Sequence, residues 1–200
     1  GVLDETTADL TWALMFAAAR GITERERFVR AGKWESIRFI RNLGVDLHGA
    51  TLGIIGMGRI GQAVARRAAG FSMRVLYSNR KRLSSDIERA CNAVYVDKAE
   101  LLRQADFVTL HMPYSTENHH LIGAKEIALM KPTAILINAA RGGIVDELAL
   151  IDALKSKRIA AAGIDVFENE PKVRPSFFAL DNVVLLPHIG SATSGTRRKM

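Results

Sequence analysis

The chain has 200 residues, 48% of them hydrophobic and 24% charged, with a formal net charge of +7. That balance suits a folded domain with a substantial core and excludes wholesale disorder. Its one cysteine, Cys91, excludes a disulfide framework and fits a reducing, cytoplasmic setting. The first residue is Gly1 rather than Met, so the chain reads as a fragment or a processed product. Taken in order, Thr6 to Arg20 has the apolar spacing of a helix, with Thr6 or Thr7 as its cap. The apolar run inside it, Trp12 to Ala19, is far shorter than the about 20 residues of a membrane span. Asp4, Glu5 and Asp9 precede it where a secretory signal would be basic. Gly21 and Gly32 punctuate the next stretch, and a polar helical segment follows through Trp34 to Asn42. Beyond it, predicted strands at Thr51 to Ile55, Arg74 to Tyr77, Phe107 to His111, Ala134 to Asn138, Ala160 to Val166 and Val183 to Leu186 are apolar on both faces. Predicted helices at Ile60 to Ala69, Lys98 to Gln104, Ala124 to Met130 and Glu147 to Lys155 lie between them. Alternation of this kind predicts an α/β fold, a doubly wound parallel sheet covered on both sides.

The basic residues form short clusters: Arg66-Arg67, Arg80-Lys81-Arg82, Lys155 to Arg158 and Arg197 to Lys199. Few aromatics lie among them and none makes a long arm, so no nucleic-acid partner is expected. A solvated basic surface or an anionic cofactor accounts better for the charge. The segment Gly56-Met57-Gly58-Arg59-Ile60-Gly61 follows a predicted strand and opens a predicted helix. Its glycines would make a tight turn, leave bare backbone for a pyrophosphate and let helix and strand approach closely. Free amides at the helix start, Arg59 and Ile60 among them, would hold the phosphates. With 16 glycines in the chain the bare pattern is weak, about 0.1 matches being expected by chance. Its place between strand and helix makes it a Rossmann-type fingerprint.

Cofactor choice is read at the end of the second predicted strand, where an NAD enzyme usually places an acid for the ribose hydroxyls. Here the residues are Tyr77-Ser78-Asn79-Arg80-Lys81-Arg82. Ser78, or at most Asn79, occupies the acidic position, and cations follow. A neutral side chain beside a guanidinium suits a 2′-phosphate, so NADP(H) is expected to be preferred, with NAD(H) as the alternative.

Three later segments carry charge directly after apolar strands: Asn138 to Glu147, Gly163 to Pro171 and Pro187 to Thr193. In an open α/β sheet such strand ends line the ligand crevice, so an Arg, a Glu and a His can converge there. With these segments and the glycine turn in this order, the chain resembles the nucleotide-binding domain of the D-isomer-specific 2-hydroxyacid dehydrogenases. Within that family it is most similar to the glyoxylate/hydroxypyruvate and 2-ketogluconate reductases.

The resemblance implies roles. Arg141 would hold the carboxylate and carbonyl oxygen of a 2-oxo acid, for which a guanidinium fork is well shaped. His188 would be the general acid and Glu170 the carboxylate that pairs with it. Asp165 would lie near the nicotinamide carboxamide, Ala139, Ala140 and Gly190 along the cofactor, and Met112 in a loop passing it. The family also implies a second, substrate-closing domain outside this sequence, so the 200 residues alone would bind cofactor but turn over poorly. Residues 1–46 are expected to form a helical arm used for homodimerisation, burying Leu10, Trp12, Leu14, Met15 and Phe16 against a second subunit, with residues 47–200 as the core. Burial of that helix within its own chain is the alternative. His119 and His120 are adjacent and lack the i, i+4 geometry of a helical metal pair, so no metal is expected. A non-catalytic nucleotide sensor on the same fold, akin to the related corepressors, stays open as the rival function.

Overall fold

The computed structural model describes residues 1–35 and 43–200. Seven strands form one parallel sheet: β1 (Thr51–Ile55), β2 (Arg74–Ser78), β3 (Ala93–Tyr95), β4 (Phe107–Leu110), β5 (Ile135–Asn138), β6 (Ala161–Ile164) and β7 (Val183–Leu185). Their order is β3-β2-β1-β4-β5-β6-β7. Central strands β4, β5 and β6 are buried at every residue, which explains why they read as continuous apolar runs without alternation. The helices are α1 (Asp4–Arg20), α2 (Ile22–Arg30), α3 (Arg59–Ala68), α4 (Ser85–Ala90), α5 (Lys98–Gln104), α6 (Ala124–Ile127), α7 (Glu147–Lys155) and α8 (Ser194–Lys199). α1 and α3 cover one face, where Trp12, Leu14, Met15 and Val64 pack with Ile54, Tyr77 and Ile137. α5, α6 and α7 cover the other, through Leu101, Leu102, Ile127, Leu150 and Leu154 against Val108 and Leu136. The strand order reverses between β1 and β4, and this opens a crevice at the carboxyl ends of the strands.

Local chemistry fixes several boundaries. Asp97 caps α5 by accepting from the Glu100 amide at 2.8 Å. Asp146 caps α7 through the amides of Leu148 and Ala149 at 3.0 and 3.1 Å. The expected cap of α1 at Thr6 or Thr7 is corrected: the helix starts at Asp4 and has no side-chain cap. Both threonines serve tertiary contacts instead, Thr6 with the Thr196 hydroxyl at 2.6 Å and Thr7 with the Gly190 carbonyl at 3.4 Å.

For helix α1, the first part of the expected arm, the alternative of burial within its own chain is what the structure shows. Trp12, Leu14 and Met15 are buried against this chain's own α3 and sheet, with the Trp12 indole donating to the Val64 carbonyl at 3.2 Å. Burial of Leu14 or Met15 stabilises by about 1.5–3 kcal/mol each, which holds α1 against the sheet. Arg66 and Arg67 of α3 meet Glu5 and Asp9 of α1, so one basic cluster is neutralised internally. The predicted helix Trp34 to Asn42 falls mostly outside the described residues; Trp34 and Glu35 are not helical, whereas α2 lies earlier. β3 and α4 are additions. β3 has three residues and sits at the sheet edge with Val94 exposed, too short and too wet to show as an apolar run. Among the described residues no helix is long and apolar enough to cross a membrane.

Candidate active site

The glycine turn lies at the switch point. Gly56 has φ +95°, and a Cβ there would stand 2.6 Å from the His111 carbonyl oxygen on β4's exit loop. A Cβ at Gly61 would meet the Gly56 oxygen at the same distance, so α3 can approach β1 only through glycine. Gly58 differs: nothing lies within 4 Å of its would-be Cβ. Gly58 is also the N-cap of α3, and no side chain caps that helix. An open space beside the uncapped first-turn amides of Arg59 and Ile60 is what a pyrophosphate needs, and the turn therefore fits a dinucleotide. The Arg59 side chain turns back to Asp4 at 3.0 Å.

At the ribose end, Ser78 closes β2 beside Ile55 of β1. Asn79 has a second duty: its side-chain oxygen accepts from the Met57 amide at 2.7 Å and ties the glycine turn to β2. Of the three cations that follow, Arg82 is committed to Glu88 at 2.8 and 2.9 Å. Hydrogen bonds from Arg82 and the Tyr77 hydroxyl hold the Glu88 carboxyl down at about 2. Arg80 projects into solvent and, among the described residues, reaches Glu117 at 3.8 Å, which leaves it exposed at the rim. Met112, half-buried just past β4, packs against the core beneath the crevice.

Across the switch point, three loops bring the predicted catalytic residues together. The first leaves β5. Asn138, buried, accepts from the Ala140 amide at 3.1 Å and donates to the Arg141 carbonyl at 3.0 Å, folding the chain so that Ala139 and Ala140 are covered and Arg141 emerges. The second leaves β6 and carries Glu170; the third leaves β7 and carries His188. His188 Nδ1 and Glu170 Oε2 are 2.7 Å apart. The other Glu170 oxygen accepts from the Phe167 amide at 2.9 Å. Burial pushes the Glu170 carboxyl up, but the His188 bond, the Phe167 amide and the charges of His188 and Arg141 outweigh it and hold the group below the usual carboxylate range. Arg141 and Glu170 line one open cleft of about 980 Å³, with Tyr114, His119, Glu168 and Lys172.

Asp165 sits beneath the His188 loop. It is fully buried, and its two oxygens accept from the Ile189 and Gly190 amides at 2.8 and 2.9 Å, while its carbonyl takes the His188 amide at 2.8 Å. It anchors the loop that presents His188. Burial raises its carboxyl above the ordinary aspartate value, the two amides opposing that shift.

Sequence reasoning passed over His120, Glu147, Glu168 and Arg174, which interlock around Glu168 at the cleft wall. Side-chain atoms of His120, Asp146 and Glu168 lie within 4.8 Å of one another, a grouping able to hold a cation, although His120 already bonds to Glu168 at 2.7 Å. The adjacency of His119 and His120 hid this, because the partners come from other loops. The one sequence signal was the pair of acids, Glu168 and Glu170, on a single strand exit.

A crevice with a phosphate seat on one side of its switch point and an Arg–Glu–His group on the other defines a dinucleotide-binding domain. Comparison with known proteins narrows that class. Residues 12–190 match the family described as "D-isomer specific 2-hydroxyacid dehydrogenase, NAD binding domain", and the chain belongs to that family. It is 52% identical over 204 residues to a glyoxylate reductase of Thermococcus litoralis, covering 100% of this chain and 61% of that protein. The crystal structure of a glyoxylate reductase from Paecilomyes thermophila superposes with a TM-score of 0.92 at 41% identity, covering 99% of this chain and 59% of that one. An NADPH-dependent glyoxylate/hydroxypyruvate reductase from Sinorhizobium meliloti, solved with NADP and malonate, gives 0.90 at 34% identity, covering 98% and 60%. The chain thus spans about 60% of the length of these relatives.

Proposed function

We propose that this chain is the cofactor-binding part of an enzyme that reduces a small 2-oxo acid to the D-2-hydroxy acid, with NADPH as the preferred reductant. Glyoxylate, hydroxypyruvate and 2-ketogluconate are the candidate substrates. The observation that carries the reading is the 2.7 Å bond between His188 and Glu170 beside the cleft that Arg141 lines.

When bound, the nicotinamide supplies the hydride. The chain's own residues do the rest. Arg141 binds the substrate carboxylate and orients its carbonyl. Glu170, held charged, accepts from His188 Nδ1–H and stabilises the imidazolium, so that Nε2–H can give its proton to the carbonyl oxygen. Asp165 keeps that imidazole in place through the loop's amides. Preference for NADPH is supported by neutral Ser78 and Asn79 beside the projecting Arg80. A homodimer is proposed too, on the exposed apolar side chains Ile22, Phe28, Val29 and Trp34 on and after α2; sedimentation of the full-length protein as a monomer at micromolar concentration would count against it. Initial rates of NADPH and NADH oxidation by the full-length protein on the three candidate acids test the activity. Turnover with NADPH is expected; cofactor binding without turnover on any acid would leave a nucleotide sensor in its place.

A further inference from the structure

The exit turn of β6 carries two glutamates, and each ends on a histidine at 2.7 Å: Glu170 on His188, Glu168 on His120. The second pair is embedded in a wider network. Glu168 Oε2 accepts from Arg174 Nη2 at 2.9 Å, and Arg174 Nε donates to Glu147 Oε2 at 2.9 Å, so one guanidinium bridges two carboxylates. Glu147 Oε1 in turn accepts from the Glu168 amide at 2.8 Å, and the Glu147 amide donates to Glu168 Oε1 at 3.4 Å. Burial pushes the Glu168 carboxyl up, yet the bonds from Arg174 and His120 bring it below the ordinary value and keep it charged.

These bonds join the loop holding His120, the start of α7 and the Phe167–Pro171 turn, three segments outside the β-strands. The turn has little freedom of its own. A Cβ on Gly142 would stand 2.0 Å from the Phe167 carbonyl carbon, so the strand exit carrying Arg141 lies backbone against backbone with it. The Lys172 amide closes the turn on the Asn169 carbonyl at 2.8 Å. Glu170 thus faces His188, Arg141 and, more distantly, Asp165, while Glu168 clamps the same turn from the side of His120 and Arg174.

We propose that Glu168, locked by Arg174 and His120, is a positioning residue that holds the Phe167–Pro171 turn so that the Glu170 carboxylate stays within hydrogen-bond reach of His188. This rests on the proposed function. Removing one partner of such a partly buried ion network also costs stability, so kcat and the Glu170 titration are read on folded protein and Tm is followed separately. A misplacement of about 1 Å in a catalytic group can cost about 10²-fold in rate.

The test uses the full-length protein and three variants, Glu168→Gln, His120→Gln and Arg174→Lys, with glyoxylate and NADPH as probes. For Glu168→Gln we expect kcat to fall by roughly 10- to 10²-fold, with NADPH affinity held within roughly twofold. The Glu170 carboxyl, followed by NMR titration, moves up toward the ordinary glutamate value as its bond to His188 lengthens. Arg174→Lys, which keeps the charge but loses the fork, shows a smaller fall of the same kind. Unchanged kcat and an unchanged Glu170 titration alongside a lowered Tm would overturn the proposal, as would a parallel loss of NADPH affinity. Should Glu168→Gln fail to fold, His120→Gln, at a side chain one-third exposed, decides on the same readouts. The Glu170 titration needs no turnover, so it distinguishes failure of this inference from failure of the activity itself.

Discussion

The two sides of the switch point are built by different means. The nucleotide side is six consecutive residues, Gly56 to Gly61, whose work is done by backbone and by the absence of side chains. The proposed catalytic side draws Arg141, Glu170 and His188 from three strand exits, and carboxylates hold it together: buried Asp165 under His188, buried Glu147 and half-buried Glu168 around the Glu170 turn. A contiguous site tolerates little change but needs few supports. A dispersed one depends on anchors drawn from several loops. Between them sits His111 at the end of β4, and it contrasts sharply with Asp165. Asp165 is buried with both oxygens satisfied, whereas both ring nitrogens of His111 are buried without a hydrogen-bond partner among the described residues.

That contrast sets the largest expected effect. Burial lowers the His111 imidazole from 6.5 to about 4. The unfolded chain takes up a proton near the ordinary value and the folded chain only near the lower one, so stability declines as pH falls through that window. At about 1.4 kcal/mol per unit the loss approaches roughly 3 kcal/mol. Urea denaturation of wild type and His111→Leu between those pH values checks it: the decline should be absent in the variant, and equal slopes would remove the orphaned-histidine account. On the catalytic side, Arg141→Ala should lower kcat/KM for glyoxylate by about 10²-fold, the value of a lost charge-assisted pair, with NADPH affinity unchanged in fluorescence titration. On the nucleotide side, Gly58→Ala should leave Tm unchanged, because its Cβ meets only open space. It should weaken NADPH binding by about 30-fold, or about 2 kcal/mol, by blocking the pyrophosphate. Normal binding in that variant would show that the phosphates sit elsewhere. Arg80→Ala should weaken NADPH about tenfold and leave NADH alone; equal weakening of both would deny Arg80 the 2′-phosphate.

What could be read from sequence follows the same division. The glycine turn is local, and each of its residues has a task that spacing reveals. The alternation of two-faced apolar strands with helices specified the doubly wound sheet, since a parallel strand needs cover on both sides. Arg141, Glu170 and His188 were reached through strand ends and family resemblance, not through their mutual geometry. Glu168 and His120 were not, because they meet across 48 residues and each looks ordinary beside its neighbour. The apolar side chains of α1 showed that the helix is buried but not by what; Trp12 against Val64 answers that only in three dimensions. β3 escaped because edge strands expose half their residues and so lose the apolar signal.

The most direct measurement is a paired one on full-length His188→Gln: kcat with glyoxylate, and the dissociation constant for NADPH. On the proposed division, in which His188 gives the proton and the glycine turn seats the phosphates, kcat should fall by roughly 10²- to 10⁴-fold while NADPH binds as in wild type. Turnover close to wild type, or a matching collapse of NADPH binding, would contradict that division of labour.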